Sequence, residues 1–251
     1  MSVQAIPAAA PATAPHTAGS LSISQQIAGF AANLTWKQIP KATRENAKYH
    51  ILDAIGTALA ATRFDFAQHA LSGLLSVADG GKNTIIGMSV RLPLRDAALL
   101  NGILAHGLDY DDTHPGAIVH PSSSALPCAL ALGEHMDASG KDLLTAYALG
   151  VEISTRVGVA AHGLMHAMGF HTTGIAGHFG CAVAAGKLFN LSPAKLALAQ
   201  GLAGSTTSAM SEHRADGAWN KRVHPGWAAV GGITAASLAR DRKSTRLNSS
   251  H

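Results

Sequence analysis

The sequence predicts an all-α fold, and three observations carry that expectation. Of the 251 residues, 47% are hydrophobic but only 5% are aromatic, and the apolar mass is mostly Ala, Leu, Val and Ile. Small and straight side chains of this kind favour helices packed closely on helices. Apolar residues recur at helical spacing along most of the chain. Only one short segment, residues 83–87, reads as extended.

The elements follow in order. Residues 1–21 are read as a disordered leader: the stretch is low-complexity Ala, Pro and Thr and lacks the basic start and long apolar centre of a secretory signal. A helical period begins at Ser22, with Ile23, Ile27, Phe30, Ala31 and Leu34 on one face and Ser22 or Ser24 as its cap. The next helix covers 41–61 behind Pro40, which suits a first turn, and Ala47, Ile51, Ile55 and Leu59 form its buried stripe. A third helix covers 67–77 and stops at Asp79-Gly80-Gly81. After the extended segment, Pro93 leads into a helix over 96–108, followed by a polar loop over 109–124. Helices resume over 125–135, 141–162, 174–189 and 193–210. A polar stretch, 211–224, precedes a last apolar helix over 226–238. The count is about nine helices in one domain spanning 22–240, with no repeat of fixed period. Residues 241–251 are polar and aperiodic, and read as a non-native tail.

Composition excludes several function classes. The formal net charge is +4, and half of it comes from the terminal segment, where Arg242, Lys243 and Arg246 face Asp241 alone. That balance is too weak to expect a nucleic-acid partner. No uninterrupted apolar run approaches the ~20 residues of a membrane-spanning helix, so no membrane partner is expected. Cys128 and Cys181 lie in apolar runs without a CxxC motif. They read as buried small hydrophobes of a reducing compartment, which points to the cytoplasm. GxGxxG, GxxxxGK[ST] and GxSxG are absent, so nucleotide-binding and serine-hydrolase readings have no support. Histidine is the anomaly: 14 residues against 15 acids. Imidazole serves proton transfer, metal ligation and anion binding, so its abundance points to a site.

Three clusters carry chemistry. The first runs from Asp109 through Asp111, Asp112, Thr113, His114 and His120 to Ser124, between two apolar helices. Capping accounts for part of it, with Asp111, Asp112 and Thr113 as caps and Ser122–Ser124 opening the next helix. Capping leaves Asp109, His114 and His120 unexplained. The second is Gly169-Phe-His171-Thr172-Thr173-Gly174 at a helix start, where exposed amides favour an anion and His171 suits a proton donor or anion ligand. The third is the basic run Lys221-Arg222-Val-His224, which suits a carboxylate or phosphate. Two further patterns are weaker. His162 and His166 have helical metal-ligand spacing but no third ligand nearby, so no metal is expected. The acids 109, 111 and 112 lack the DDxxD spacing of helical prenyl-diphosphate enzymes.

Three blocks in order carry a resemblance: NGILAHGLDYDDTHPGAIVHPSSSALPCALALGE, GFHTTGIAGHFGCAVAAGKLFNLS and NKRVHPGWAAVGG. From about residue 22 to 240 the chain resembles the MmgE/PrpD family of 2-methylcitrate dehydratases and cis-aconitate decarboxylases. The resemblance implies a helical domain carrying most of the site and a smaller α+β lid domain after it. The lid is expected to be missing from this chain, which then reads as the N-terminal helical part. It further implies a homodimer, no cofactor, no metal, and a small di- or tricarboxylate substrate. Residue by residue, it implies catalytic roles for Asp109, Thr113, His120, His171 and Lys221.

The residue chemistry agrees. Lys221, Arg222, His224 and the helix start at Thr172 suit carboxylate binding. His120 and His171 are expected to titrate near neutrality and to serve as acid or base, with Asp109 orienting an imidazole or acting as a base. The expected function is a lyase that dehydrates or decarboxylates acids such as 2-methylcitrate or cis-aconitate. Isomerisation or epimerisation of a small dicarboxylate is the alternative, as is an inactive helical fragment.

Overall fold

The computed structural model describes residues 20–240; the expected tail, 241–251, and the expected leader apart from Ser20 and Leu21 lie outside the described residues. The fold is all-α. The helices are α1 (Ile23–Asn33), α2 (Lys41–Ala61) and α3 (Asp65–Leu75), then a two-stranded antiparallel ribbon of β1 (Asn83–Thr84) and β2 (Arg91–Leu92). They continue with α4 (Leu94–Ala105), α5 (Ser122–His135), α6 (Gly140–Ala160) and α7 (Leu164–Ala167). The series closes with α8 (Thr172–Leu188), α9 (Pro193–Thr206), α10 (His213–Asp216) and α11 (Val223–Arg240). The two four-residue helices, α7 and α10, are additions to the nine expected.

Local chemistry starts the helices where the caps lie. Ser22 and Gln25 form a reciprocal capping box at α1, and Ser139 and Ser192 each accept a backbone N–H at α6 and α9. Helix α8 lies at the centre and packs on α5, α6, α9 and α11. It is buried on nearly every side, and its Ala and Gly residues let neighbouring backbones approach closely. Cys128 and Cys181 are free and fully buried in this core. A second cluster joins α2, α3, α4 and the ribbon, and Asn101 of α4 pins the ribbon by donating to Thr84 O and accepting from Ile86 N–H. Helix α6 is long and apolar enough to cross a membrane by length and mean hydropathy, although charged residues interrupt its apolar run. Here it is a core helix that buries one face on α5 and α8.

Two expected stripes are corrected. In α1, Ala28 and Ala31 are buried, whereas Ile23 is 73% and Phe30 49% exposed. The helix packs on α9, and the larger residues rim a groove beside Ile153 and Val157 of α6. In α2, Leu59 is 47% exposed while Ala47, Ala54, Ala58 and Ala61 are buried. A pattern that steps by four drifts about 40° per step from a 3.6-residue turn, so after three steps Leu59 has rotated off the buried face.

The crossing of α4 and α11 positions the site. A Cβ on Gly102 would fall 2.3 Å from the Gly226 Cα, and one on Gly226 would fall 2.2 Å from the Leu99 carbonyl oxygen. The backbones are therefore in direct contact. That brings the loop after α4 against the basic turn before α11.

Candidate active site

Three segments meet where α4 ends and where α8 and α11 begin. His106 caps the C-terminus of α4, and the chain then turns through Asp109, whose φ of 54° is left-handed. A short polar side chain tolerates that conformation better than most. The loop closes with His114 N–H donating to Val119 O at 2.9 Å. Asp112 then reaches the first turn of α5, accepting the Ser122 amide at 3.1 Å and its hydroxyl at 2.7 Å, while Tyr147 bonds the same hydroxyl at 2.6 Å. Asp112 thus performs the capping read from the sequence. Burial pushes its carboxyl above the usual range, and burial likewise raises Tyr147.

Asp111 turns inward instead. Its two carboxylate oxygens lie 3.0 Å from His106 Nδ1, and both side chains are fully buried. Thr113 Oγ1 donates to the Asp111 carbonyl at 3.3 Å and faces His120 Nδ1 at 3.1 Å. The His120 backbone N–H donates to Thr173 Oγ1 at 3.1 Å, tying this loop to the start of α8. The Nε2 atoms of His106 and His120 stand 3.9 and 3.8 Å from Asp109 Oδ1. Lys221 Nζ donates to that same oxygen at 2.6 Å. Burial alone would raise the Asp109 carboxyl, but the Lys221 ammonium outweighs it and holds the group below the usual carboxylate range.

A second group of imidazoles lies alongside. His171 stacks on His106 with ring centroids 5.4 Å apart, and its Nδ1 is 3.0 Å from His224 Nδ1. His213 closes the group, 6.1 Å from His171 and 5.9 Å from His224 between centroids. His171 is held by its own N–H, which donates to Ala209 O at 2.8 Å. That pairing needs extended chain at 207–210, and it explains why α9 stops at Thr206 rather than at Met210 as expected. Two Nδ1 atoms at this distance share one proton, one ring donating and the other accepting.

Burial, with the neighbouring histidines and Lys221, drives His171 far below the usual histidine range. This corrects the expectation that it titrates near neutrality. Burial and the same kind of neighbours lower His224 to about 4. Because these folded values lie below the unfolded value near 6.5, the unfolded chain takes up protons first as pH falls. The stability contributed by the neutral pair is complete above pH ~6.5 and is lost as pH falls toward about 4. Urea unfolding across this window is expected to show that slope, and His224→Gln is expected to flatten it. An unchanged slope in the variant would contradict a buried neutral pair.

The sequence-predicted residues divide as follows. Asp109, Thr113, His120 and Lys221 form one connected group, and His171 and His224 join it through the His106 ring. His120, His171, His213 and Lys221 line one cavity of about 200 Å³, together with Ile118, His166, Ser211 and Arg214. Thr172 is buried at the first turn of α8, and its hydroxyl has no partner. Arg222 turns away to the Gly107 carbonyl at 2.6 Å, with its guanidinium 4.6 Å above the Phe66 ring.

A profile of the MmgE/PrpD N-terminal domain matches residues 25–243. The chain belongs to the MmgE/PrpD family. Among curated relatives, the cis-aconitate decarboxylase of Homo sapiens is 32% identical over 225 residues, which are 87% of this chain and 46% of the relative. The cis-aconitate decarboxylase of Aspergillus terreus is 30% identical over 224 residues, 86% of this chain and 45% of the relative. A cis-aconitate decarboxylase-like protein of Aspergillus oryzae is 29% identical over 227 residues, 87% and 47% respectively. The chain spans about half the length of the curated relatives it matches.

Three residues of this MmgE/PrpD domain's site carry another reading in the sequence: His106 falls at the end of an apolar helix, Asp111 reads as a cap within the first cluster, and His213 lies in a stretch that reads only as polar. The usable signal for the first two was their spacing: a histidine at a helix end, followed by glycine, with a carboxylate five residues on.

Proposed function

We propose that this chain carries the proton-handling centre of a lyase that decarboxylates a small di- or tricarboxylate of the cis-aconitate class. The observation that carries this reading is the meeting of Asp109, His120 and Lys221 beside one cavity, with Lys221 Nζ 2.6 Å from Asp109. Decarboxylation breaks the bond between a carboxylate carbon and the skeleton. Carbon dioxide leaves, the electron pair delocalises toward a remaining carboxylate, and a proton must return to carbon. Lys221 supplies positive charge beside the accumulating negative charge. His120, oriented through Nδ1 by Thr113, presents Nε2 as the proton carrier, and Asp109 stabilises its imidazolium. His171, which lines the cavity, is paired through Nδ1 with His224, and a ring N–H on this pair can donate to a carboxylate oxygen of the substrate. Dehydration of a 2-methylcitrate-like acid draws on the same groups; the names of the relatives favour decarboxylation.

The test assays this chain, and the longest polypeptide its gene encodes, for carbon dioxide release from cis-aconitate and for dehydration of 2-methylcitrate. Asp109→Asn is expected to lower kcat by about 10²–10³-fold with unchanged circular dichroism. Failure of both polypeptides to bind or convert either acid would overturn the reading.

A further inference from the structure

We propose that His106 and Asp111 are positioning residues of this centre: Asp111 keeps the proton of His106 on Nδ1, and His106 Nε2 shares with Asp109 a proton that the site takes up when Lys221 leaves Asp109. The inference rests on the lyase reading for the use of that proton, not for its position. Both carboxylate oxygens of Asp111 lie 3.0 Å from His106 Nδ1, and both side chains are fully buried. A carboxylate only accepts, so Nδ1 donates, and neutral His106 carries its lone pair on Nε2. That nitrogen is buried and has no hydrogen-bond partner. It faces Asp109 Oδ1 at 3.9 Å, so two acceptors confront each other. Lys221 Nζ, 2.6 Å from the same oxygen, satisfies Asp109 but leaves Nε2 bare.

A substrate carboxylate that draws Lys221 toward itself removes the donor from Asp109. One proton held between Oδ1 and Nε2 then satisfies both acceptors. Asp109 is half exposed and receives that proton from water. His120 offers a competing position, since its Nε2 is 3.8 Å from Asp109 Oδ1. The partner behind each ring decides between them. His120 Nδ1 bonds the Thr113 hydroxyl at 3.1 Å, with Asp111 Oδ1 farther off at 3.6 Å, whereas His106 Nδ1 meets both Asp111 oxygens. A buried carboxylate in direct contact stabilises an imidazolium more than a hydroxyl does. His171, stacked on His106 at 5.4 Å between centroids, is held neutral and adds no opposing charge. Decarboxylation gives the proton its use. Carbon dioxide leaves uncharged, so each carboxylate lost takes one proton from solvent, and the electron pair of the broken carbon–carbon bond becomes the new carbon–hydrogen bond. Asp109 Oδ1 is the atom through which the stored proton passes to His120 Nε2, and from there to carbon.

The test reads ring protons in long-range ¹⁵N–¹H spectra of histidine-labelled protein near neutral pH, without substrate. In the parent chain His106 is expected to carry a proton on Nδ1 and none on Nε2. Lys221→Met imitates the departure of Lys221, and in it Nε2 is expected to become protonated while Nδ1 stays so. Adding Asp111→Asn to Lys221→Met is expected to abolish that uptake. A parent His106 protonated on Nε2, a Lys221→Met His106 still bare there, or uptake on His120 instead would overturn the proposal. These spectra need no turnover, so they fail separately from the lyase reading. In whichever polypeptide releases carbon dioxide, Asp111→Asn is expected to lower kcat by about 10²–10³-fold with KM little changed, the split expected of a group that acts on proton transfer and not on substrate binding. A folded variant with kcat within about threefold of the parent would remove the positioning role. Should Asp111→Asn not fold, the parent and Lys221→Met spectra decide the proposal.

Discussion

Lys221→Met is expected to lower kcat on the proposed carboxylate substrate by about 10³-fold, equivalent to about 4 kcal/mol of lost transition-state stabilisation. Lys221 touches the chemistry twice. It lines the cavity, and its Nζ hydrogen bond keeps Asp109 ionised beside His120. Methionine keeps the length and much of the volume but removes the charge, so both effects vanish together. The fold is expected to survive. Asp109 is half exposed and the pair is partly solvated, so its contribution to stability is under about 1 kcal/mol. Steady-state kinetics with parallel thermal melts provide the check. A variant that melts normally and retains activity within tenfold of the parent would remove Lys221 from the mechanism.

The second large effect is structural. Gly226→Ala is expected to destabilise the protein by about 3 kcal/mol or more, lowering Tm by roughly 6–12 °C. The added Cβ would fall 2.2 Å from the Leu99 carbonyl oxygen and about 3.0 Å from two further Leu99 backbone atoms. Those atoms belong to helix α4 and have no rotamer by which to yield. The helices must separate, and the separation moves Lys221 and Arg222 away from Asp109 and the Gly107 carbonyl. Activity is therefore expected to fall further than stability alone explains, at temperatures well below the variant's Tm. Differential scanning calorimetry and assays at 15 °C separate the two effects. A melt within 2 °C of the parent would show that the crossing is looser than the backbone contact implies.

Periodicity, caps and composition were enough to read most of the helices, because these are local properties. Ser22 with Gln25, Pro40 before α2 and Ser192 before Pro193 declare helix starts within a few residues. The three polar clusters were legible for the same reason: polar residues stand out against an apolar helical chain, and buried polar groups need partners or a ligand. Which face of a helix is buried was less legible. In α1 and α2 the close approach of neighbours selected alanines for the interior and left Ile23, Phe30 and Leu59 at the rim, a choice made by the partner helix and not by the helix itself.

Within the site, tertiary structure decided the partnerships. Asp111 and Asp112 are adjacent and chemically identical, yet one is buried against His106 and the other caps α5, because successive residues of a turn point in different directions. Arg222 and Lys221 are equally basic neighbours, yet Lys221 reaches Asp109 while Arg222 holds the end of α4. His171 is an ordinary histidine by composition, and only its burial against His106 and His224 keeps it neutral. Residue type and spacing alone therefore singled out the three polar segments that the structure brings together. The helix crossing at Gly102 and Gly226 decided which of those side chains face one another, because hydrogen bonds and desolvation depend on distances of a few ångströms between atoms more than a hundred residues apart in the chain.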